Sequence, residues 1–337
     1  MKVFLKNFFR FILFCFGPFL VILLAGYFYF DPFKVLTKYN DKDFCYDSLP
    51  HINMNRDYMS TELFLKNYST YHYNSFIFGS SRSLSYKPET WKKYLKPDDS
   101  PYSFDAFSES INSICNKLKF LDARHVKIDN ALVVICRDWS FRKGASTNDK
   151  HPLVSGENKL IFYGTCLLNY FNLKFLKAYY TYQLTHQYQD WMNEIFINVK
   201  LSNNPVTNQV DLVAFDEKID TDPAKYYRDR KSVFYERTAE RVDSVDRILP
   251  EHETMLKEIK RIFDKNKTDY HIVCSPLYEQ IKYSPHDKKI LTEIFGSRLY
   301  DFTGRNQFTI PVTNYYETSH YRKPVADSIF SIIYRKN

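Results

Sequence analysis

Glycine is scarce in this chain, with eight residues in 337. Hydrophobic residues make up 44% and aromatic residues 18%, so the composition excludes a low-complexity polymer or a disordered chain and predicts a folded one. A concentrated basic stripe is missing as well. The formal charge is +8, but Lys2, Lys6 and Arg10 sit together at the N-terminus and acids and bases interleave elsewhere, so no nucleic-acid partner is expected. Metal-ligand spacing is also absent. The nine histidines are scattered, among them His51, His125, His151, His186, His252 and His271. This argues against a metal-dependent phosphatase or sulfatase, and neither metal nor cofactor is expected. Nor do the six cysteines form a disulfide framework. Cys15 lies in an apolar run, which leaves the odd set Cys45, Cys115, Cys136, Cys166 and Cys274; at most one incidental bridge is expected.

One long apolar run is present, and no second follows it. "FILFCFGPFLVILLAGYFYF", Phe11 to Phe30, carries no charge until Asp31, and twenty such residues at about 1.5 Å each match the hydrocarbon thickness of a bilayer. Gly17 and Pro18 are tolerated in a membrane helix, and Tyr27 to Phe30 read as an interfacial aromatic belt. A cleaved signal peptide would have to be cut near Ala25-Gly26, but the run is long for that purpose and bulky aromatics follow it, which favours an uncleaved anchor. The basic residues before the run place 1–10 in the cytoplasm and everything after Asp31 outside, in the periplasm or at the cell surface, as a single-pass protein.

Beyond the anchor, residues 31–70 are polar and tyrosine-rich with little periodicity and read as a stalk that packs onto the domain. From 71 to 337 the pattern is α/β. "SFIFG" (75–79) and "ALVVIC" (131–136) read as strands around a helix over 110–123, whose apolar positions are Ile111, Ile114, Leu118 and Leu121. That order predicts a mainly parallel sheet. The alternation resumes with a helix over 252–266, a strand over 270–276, a helix over 286–296, a strand over 298–304 and a closing helix over 324–335. Between the two blocks, about 141–250 reads as an insertion, helical over 160–196, that covers or flanks the active edge of the sheet.

Three places carry chemistry-bearing residues where parallel sheets bind ligands. In "SFIFGSSRSLSY", Ser80, Ser81 and Arg82 follow a strand directly, on a turn suited to both attack and oxyanion binding; alone, such a turn is equally a helix cap. In "NYYETSHYRKPVADSIF", Glu317 stands three residues before His320, so the carboxylate can hold the imidazole in one tautomer. In "ICRDWSF", Arg137 and Asp138 at a strand end either line a cleft or pair with each other.

Together with the anchor, these motifs resemble the SGNH (GDSL-like) hydrolase superfamily, and within it the membrane-anchored DltD-like and alginate-acetylation-like proteins, over roughly 75–335. The resemblance implies a three-layer α/β/α, flavodoxin-like fold. Gly79 and Ser80 take the family's Gly and Asp places, so Ser81 is the implied nucleophile, with His320 as general base and Glu317 as the orienting acid; Ser80 remains a rival. The second oxyanion loop corresponds to "YSFDAFSESINS", with an N–H near Ser108 or Glu109, although Glu109 replaces the usual Gly. In the third loop, Arg137-Asp138-Trp139 replaces the GxND pattern, and losing its side-chain donor removes about 2 to 3 kcal/mol of transition-state stabilisation.

The resemblance implies a serine esterase or O-acyltransferase acting on acyl groups of a cell-surface polysaccharide, beside a membrane-bound O-acyltransferase as partner. The alternative is a non-catalytic glycan-binding or scaffold protein that keeps the fold and assists such an acyltransferase.

Overall fold

The computed structural model describes residues 2–37, 49–143, 150–237 and 239–335. Five strands, β1 (Ser75–Gly79), β2 (Pro101–Ser103), β3 (Asn130–Ile135), β4 (Asp269–Cys274) and β5 (Leu299–Asp301), form the central sheet. Their order is 2-1-3-4-5 and every pairing is parallel. The helices are α1 (Lys2–Phe30), α2 (Arg56–Tyr71), α3 (Ile111–Ala123), α4 (Lys159–Tyr170), α5 (Leu173–Thr185), α6 (Val213–Thr221), α7 (Pro223–Asp229), α8 (Pro250–Asn266), α9 (Pro285–Phe295) and α10 (Lys323–Ile333), with shorter turns between them.

Alternation along the strands builds the layers. Phe76, Phe78, Val133, Ile135 and Ile272 point to one face, where α2, α3, α8 and α9 cover them. Ile77, Leu132, Val134 and Val273 point to the other, against α10 and the segment after β1 that carries Tyr86 and Trp91. Side chains two apart share a face of a strand, so a strand buried on both faces must be apolar along its centre, as β1 is over Phe76–Phe78 and β3 over Ala131–Ile135. The strands and helices expected at both ends of the chain are therefore present, with bounds shifted by one or two residues except for the strand expected over 298–304, which is confined to Leu299–Asp301.

The stalk expectation is corrected. Residues 56–71 form α2, with Met59, Leu63 and Phe64 fully buried in the core. Asn55 caps the helix by accepting from the Tyr58 N–H at 3.1 Å, and tyrosines dilute the apolar stripe enough to hide it in the sequence. Within the same segment, 38–48 with Cys45 lies outside the described residues. The other five cysteines are free.

The insertion divides in two. Its first part, α4 and α5, packs on the end of α1, joining Tyr170, Phe175 and Tyr179 to Leu23 and Tyr27, while Phe162 of α4 enters the main core by stacking on Tyr58 of α2. Its second part, α6 and α7, flanks the C-terminal loop: the Tyr226 hydroxyl donates to the Tyr316 carbonyl at 2.7 Å and that of Tyr227 to the Tyr315 carbonyl at 3.1 Å.

The apolar N-terminal run is helical throughout α1, which continues for 29 residues until Asp31 closes it. Asp31 takes a left-handed conformation, and its carboxylate accepts from the N–H groups of Val35, Leu36 and Thr37. Among the described residues no helix is long and apolar enough to cross a membrane. The side chains of Ile12 and Leu13 fall outside that description, so the membrane span rests on the sequence run and is a proposal.

A buried ionic cluster joins α2, α3 and the loop after β2. Lys117 Nζ lies 2.5 Å from Glu109 Oε1 and 3.1 Å from Asp57 Oδ1, with all three side chains buried. Burial pushes the Glu109 carboxyl up to about 7, against the pull of Lys117. The folded protein thus holds a proton there that the unfolded chain releases near its ordinary value, and this contribution to stability is present below that value and lost as pH rises through about 7. Glu109→Gln is expected to flatten the dependence of the urea midpoint on pH between 5 and 8; an unchanged slope would assign the titration elsewhere.

Candidate active site

β1 ends at Gly79, whose φ of +152° is one that side chains resist. A Cβ there would lie 2.8 Å from the Val134 carbonyl oxygen on β3, so only glycine lets the chain leave the sheet at this point. Ser80 follows as the cap of a short 3-10 turn, Ser81–Ser85. Its Oγ faces the Arg82 N–H at 3.5 Å and its carbonyl accepts from the Ser83 N–H. Ser81 is the first residue of that turn, where the N–H has no partner within the helix.

The second half of the site comes from the other end of the chain. A two-stranded hairpin, β6 (Tyr315–Glu317) and β7 (His320–Tyr321), precedes α10. It folds Glu317 back on His320, so that Glu317 Oε1 bonds the His320 Nδ1. Glu317 Oε2 accepts from the Ser319 N–H at 2.7 Å. The other ring nitrogen, His320 Nε2, lies 2.7 Å from Ser81 Oγ. Burial opposes the charged form of Glu317, yet His320, the Ser319 N–H and Arg82 together hold its carboxyl below the ordinary value. An ionised Glu317 accepts from Nδ1–H, which leaves Nε2 with a lone pair facing the serine proton.

Ser81, His320 and Glu317 are therefore one hydrogen-bonded chain, brought together across 239 residues of sequence. Ser80 is the turn's cap. Arg82 ties the site together: its Nε donates to the Ser319 carbonyl at 3.2 Å and its Nη1 to Asp138 Oδ1 at 2.7 Å. One planar guanidinium thus links the Ser81 turn, the histidine hairpin and the loop after β3. Asp138 is at the site as an ionic partner of Arg82, not of Arg137.

Two expected cleft residues are placed differently. Arg137 turns away into ion pairs with Asp243 and Glu279, because a buried guanidinium needs carboxylate partners. Glu109 has its side chain in the Lys117 cluster described above, not in the cleft. The loop of Ser108 does reach the end of β1, since the Ala106 N–H donates to the Gly79 carbonyl at 3.2 Å. Ser108 itself occupies a left-handed turn at φ +51°, and among the described residues no hydrogen bond joins it to Ser81 or His320.

A narrow cleft beside Ser81 and His320 is lined by Leu84, Leu212 and Tyr316 together with Lys87 and Lys323. Leu212 comes from the insertion, and no linear signal pointed to it. A wider hollow bounded by Phe33, Asn53, Phe107 and Phe162 holds none of the three triad residues. We place the site at the narrower cleft because the reactive groups converge there.

No family model matches the chain, and no curated protein matches it.

Arg82→Lys is expected to lower kcat by about tenfold or more with little change in KM, because an ammonium cannot bridge Ser319 and Asp138 together. The check is steady-state hydrolysis of an aryl acetate by the full chain. An unchanged kcat would leave the arginine with a purely structural role in its partly buried ion pair.

Proposed function

We propose that this chain is a membrane-anchored extracytoplasmic serine esterase or O-acyltransferase of the SGNH type, acting on acyl groups of a cell-surface polysaccharide. The observation that carries the proposal is the continuous bond path from Glu317 through His320 to Ser81 Oγ. The strand order 2-1-3-4-5, shared with flavodoxin-like sheets, supports it by placing Ser81 at the carboxyl end of β1, next to the point where the order reverses.

In this reading Ser81 Oγ attacks the acyl carbonyl carbon while His320 Nε2 takes its proton. The oxyanion forms beside the Ser81 N–H. As the tetrahedral intermediate collapses, the C–O bond to the alcohol breaks and His320 returns the proton to the leaving oxygen. Water or a sugar hydroxyl then attacks the acyl-serine, giving its proton to His320; as this second intermediate collapses, the bond between the acyl carbon and Ser81 Oγ breaks and His320 returns the proton to Oγ. Glu317 stays ionised throughout and balances the transient imidazolium. Leu212 and Tyr316 narrow the approach to the serine, which favours a bulkier acceptor only where it can displace water.

The glycan substrate, the anchor formed by residues 11–30 and the partnership with a membrane-bound O-acyltransferase follow from the resemblance and the apolar run. They belong to the same proposal, as does the topology with 1–10 cytoplasmic. One observation favours the scaffold reading instead: Arg137 is locked in ion pairs where a side-chain oxyanion donor is expected. The two readings part on covalent labelling. Full-length protein in detergent, exposed to a fluorophosphonate and weighed intact, gains one adduct if the serine is activated, and none if the chain is only a scaffold.

A further inference from the structure

α4, α5 and the end of α1 expose several large apolar side chains. Between Lys159 and Lys174 the chain reads "LIFYGTCLLNYFNL", fourteen residues without a charge. A run of that length belongs either to a buried core helix or to an interfacial segment. It is core on one side only: Phe162 and Tyr170 are buried, whereas Leu160, Leu168 and Leu173 are 80%, 74% and 82% exposed. Leu160, Gly164 and Leu168 recur every four residues and so lie along one side of α4. Acidic residues are missing from 158 to 189, while Lys159, Lys174 and Lys177 remain. Such a face suits a lipid surface with anionic headgroups better than a protein surface of mixed charge.

The depth of this face follows from its contact with α1. Tyr170 Oη donates to the Leu23 carbonyl at 2.9 Å, and Leu23 and Tyr27 are buried against α4 and α5. Gly26 leaves room for the close approach of the Tyr180 and Tyr170 hydroxyls. Before this contact, Phe11, Phe14, Phe19, Val21 and Ile22 are all exposed. The charge-free run ends at Phe30. At about 1.5 Å per residue, Leu23 lies about 10 Å and Tyr27 about 5 Å inside its outer end, which is the depth of an interfacial helix.

We propose that the α4–α5 hairpin lies in the outer membrane interface, with Leu160, Leu168 and Leu173 among the acyl chains and its lysines at the headgroups. The occupant of the face is the lipid bilayer itself. This inference rests on the proposed anchor and adds a second lipid contact, which fixes the domain against the membrane rather than leaving it on a tether.

The test uses full-length protein in vesicles of phosphatidylcholine and phosphatidylglycerol, with tryptophan fluorescence quenched by acyl-brominated phosphatidylcholine. Leu168→Trp and Leu173→Trp are placed on the face, Ile22→Trp in the anchor, and Lys289→Trp on the water-exposed side of α9. Each is read against the parent protein with its three tryptophans. The added fluorescence of Leu168→Trp and Leu173→Trp is expected to be quenched at least twofold more than that of Lys289→Trp. Quenching no greater than in Lys289→Trp, while Ile22→Trp is quenched, overturns the hairpin proposal, keeps the anchor and leaves the face to a protein partner. Loss of quenching at Ile22→Trp as well removes the anchor, and the hairpin proposal with it.

Discussion

Ser81→Ala is expected to lose the fluorophosphonate adduct entirely and to lower kcat for acyl-ester turnover on the order of a thousandfold or more. The hydroxyl is the only atom at that position placed to attack, 2.7 Å from an imidazole whose far nitrogen is held by a carboxylate. His320→Ala is expected to fall about as far, because nucleophile and base act as one unit and their losses do not add. Ser80→Ala supplies the contrast. Its hydroxyl caps a short turn, so its removal costs about 1 kcal/mol of stability or less and leaves the adduct in place. An adduct that survives in Ser81→Ala but disappears in Ser80→Ala would move the nucleophile by one residue. A wild-type protein that turns over no ester and gains no adduct, while its function in the envelope survives Ser81→Ala, would leave the scaffold reading standing. The full chain is the right sample, since a cut at residue 31 removes Leu23 and Tyr27 from the cluster they share with α4 and α5.

Lys117→Met is expected to be among the most destabilising single substitutions, by about 3 to 5 kcal/mol, because it leaves buried carboxylates without their counter-ion. Lys117 Nζ touches Glu109, Asp57 and the Phe104 carbonyl, and its side chain is shielded from solvent. The measurement is urea unfolding followed by circular dichroism. Lys117→Met combined with Glu109→Gln should recover part of the loss, since the carboxyl that Lys117 Nζ meets at 2.5 Å is then neutral at every pH. A single substitution that shifts the midpoint no more than Lys289→Met does would mean that the cluster contributes nothing. The carboxylates it fixes sit at the N-terminus of α3 and on α2, so the loss should loosen the loop after β2 that meets the end of β1 at Gly79.

Much of this molecule was legible before folding was considered, and the failures share one cause. β1, β3, α3 and α10 announce themselves because burial on both faces of a strand, or along one side of a helix, demands a local apolar pattern. α2 was misread as stalk because Tyr58, Tyr68 and Tyr71 blur its stripe, and what makes it a helix of the core is the hydrophobic partner it finds in Phe76 and Phe104. Glu109 was read as a departure in an oxyanion loop. Its true partner, Lys117, occupies a core position on α3, between Ile114 and Leu118, where a charge is tolerable only if another element brings an acid to it. Arg137 was open to two readings, and Asp243 and Glu279, more than a hundred residues away, decided between them.

Three residue types at the right ends of the right elements were readable from the chain: a serine after the first strand, and a glutamate and histidine before the last helix. Their local spacing also set the Glu317–His320 contact, since three residues on a tight hairpin can hardly avoid one another. What folding alone decided is that Ser81 Oγ faces His320 Nε2 and Ser80 does not, that Arg82 rather than Arg137 reaches the site, and that the insertion serves the cleft with one half and the anchor helix with the other. Local pattern records which surfaces a segment must bury, whereas the partner that a charged or hydroxyl group meets depends on how the sheet order 2-1-3-4-5 carries distant segments to a common edge.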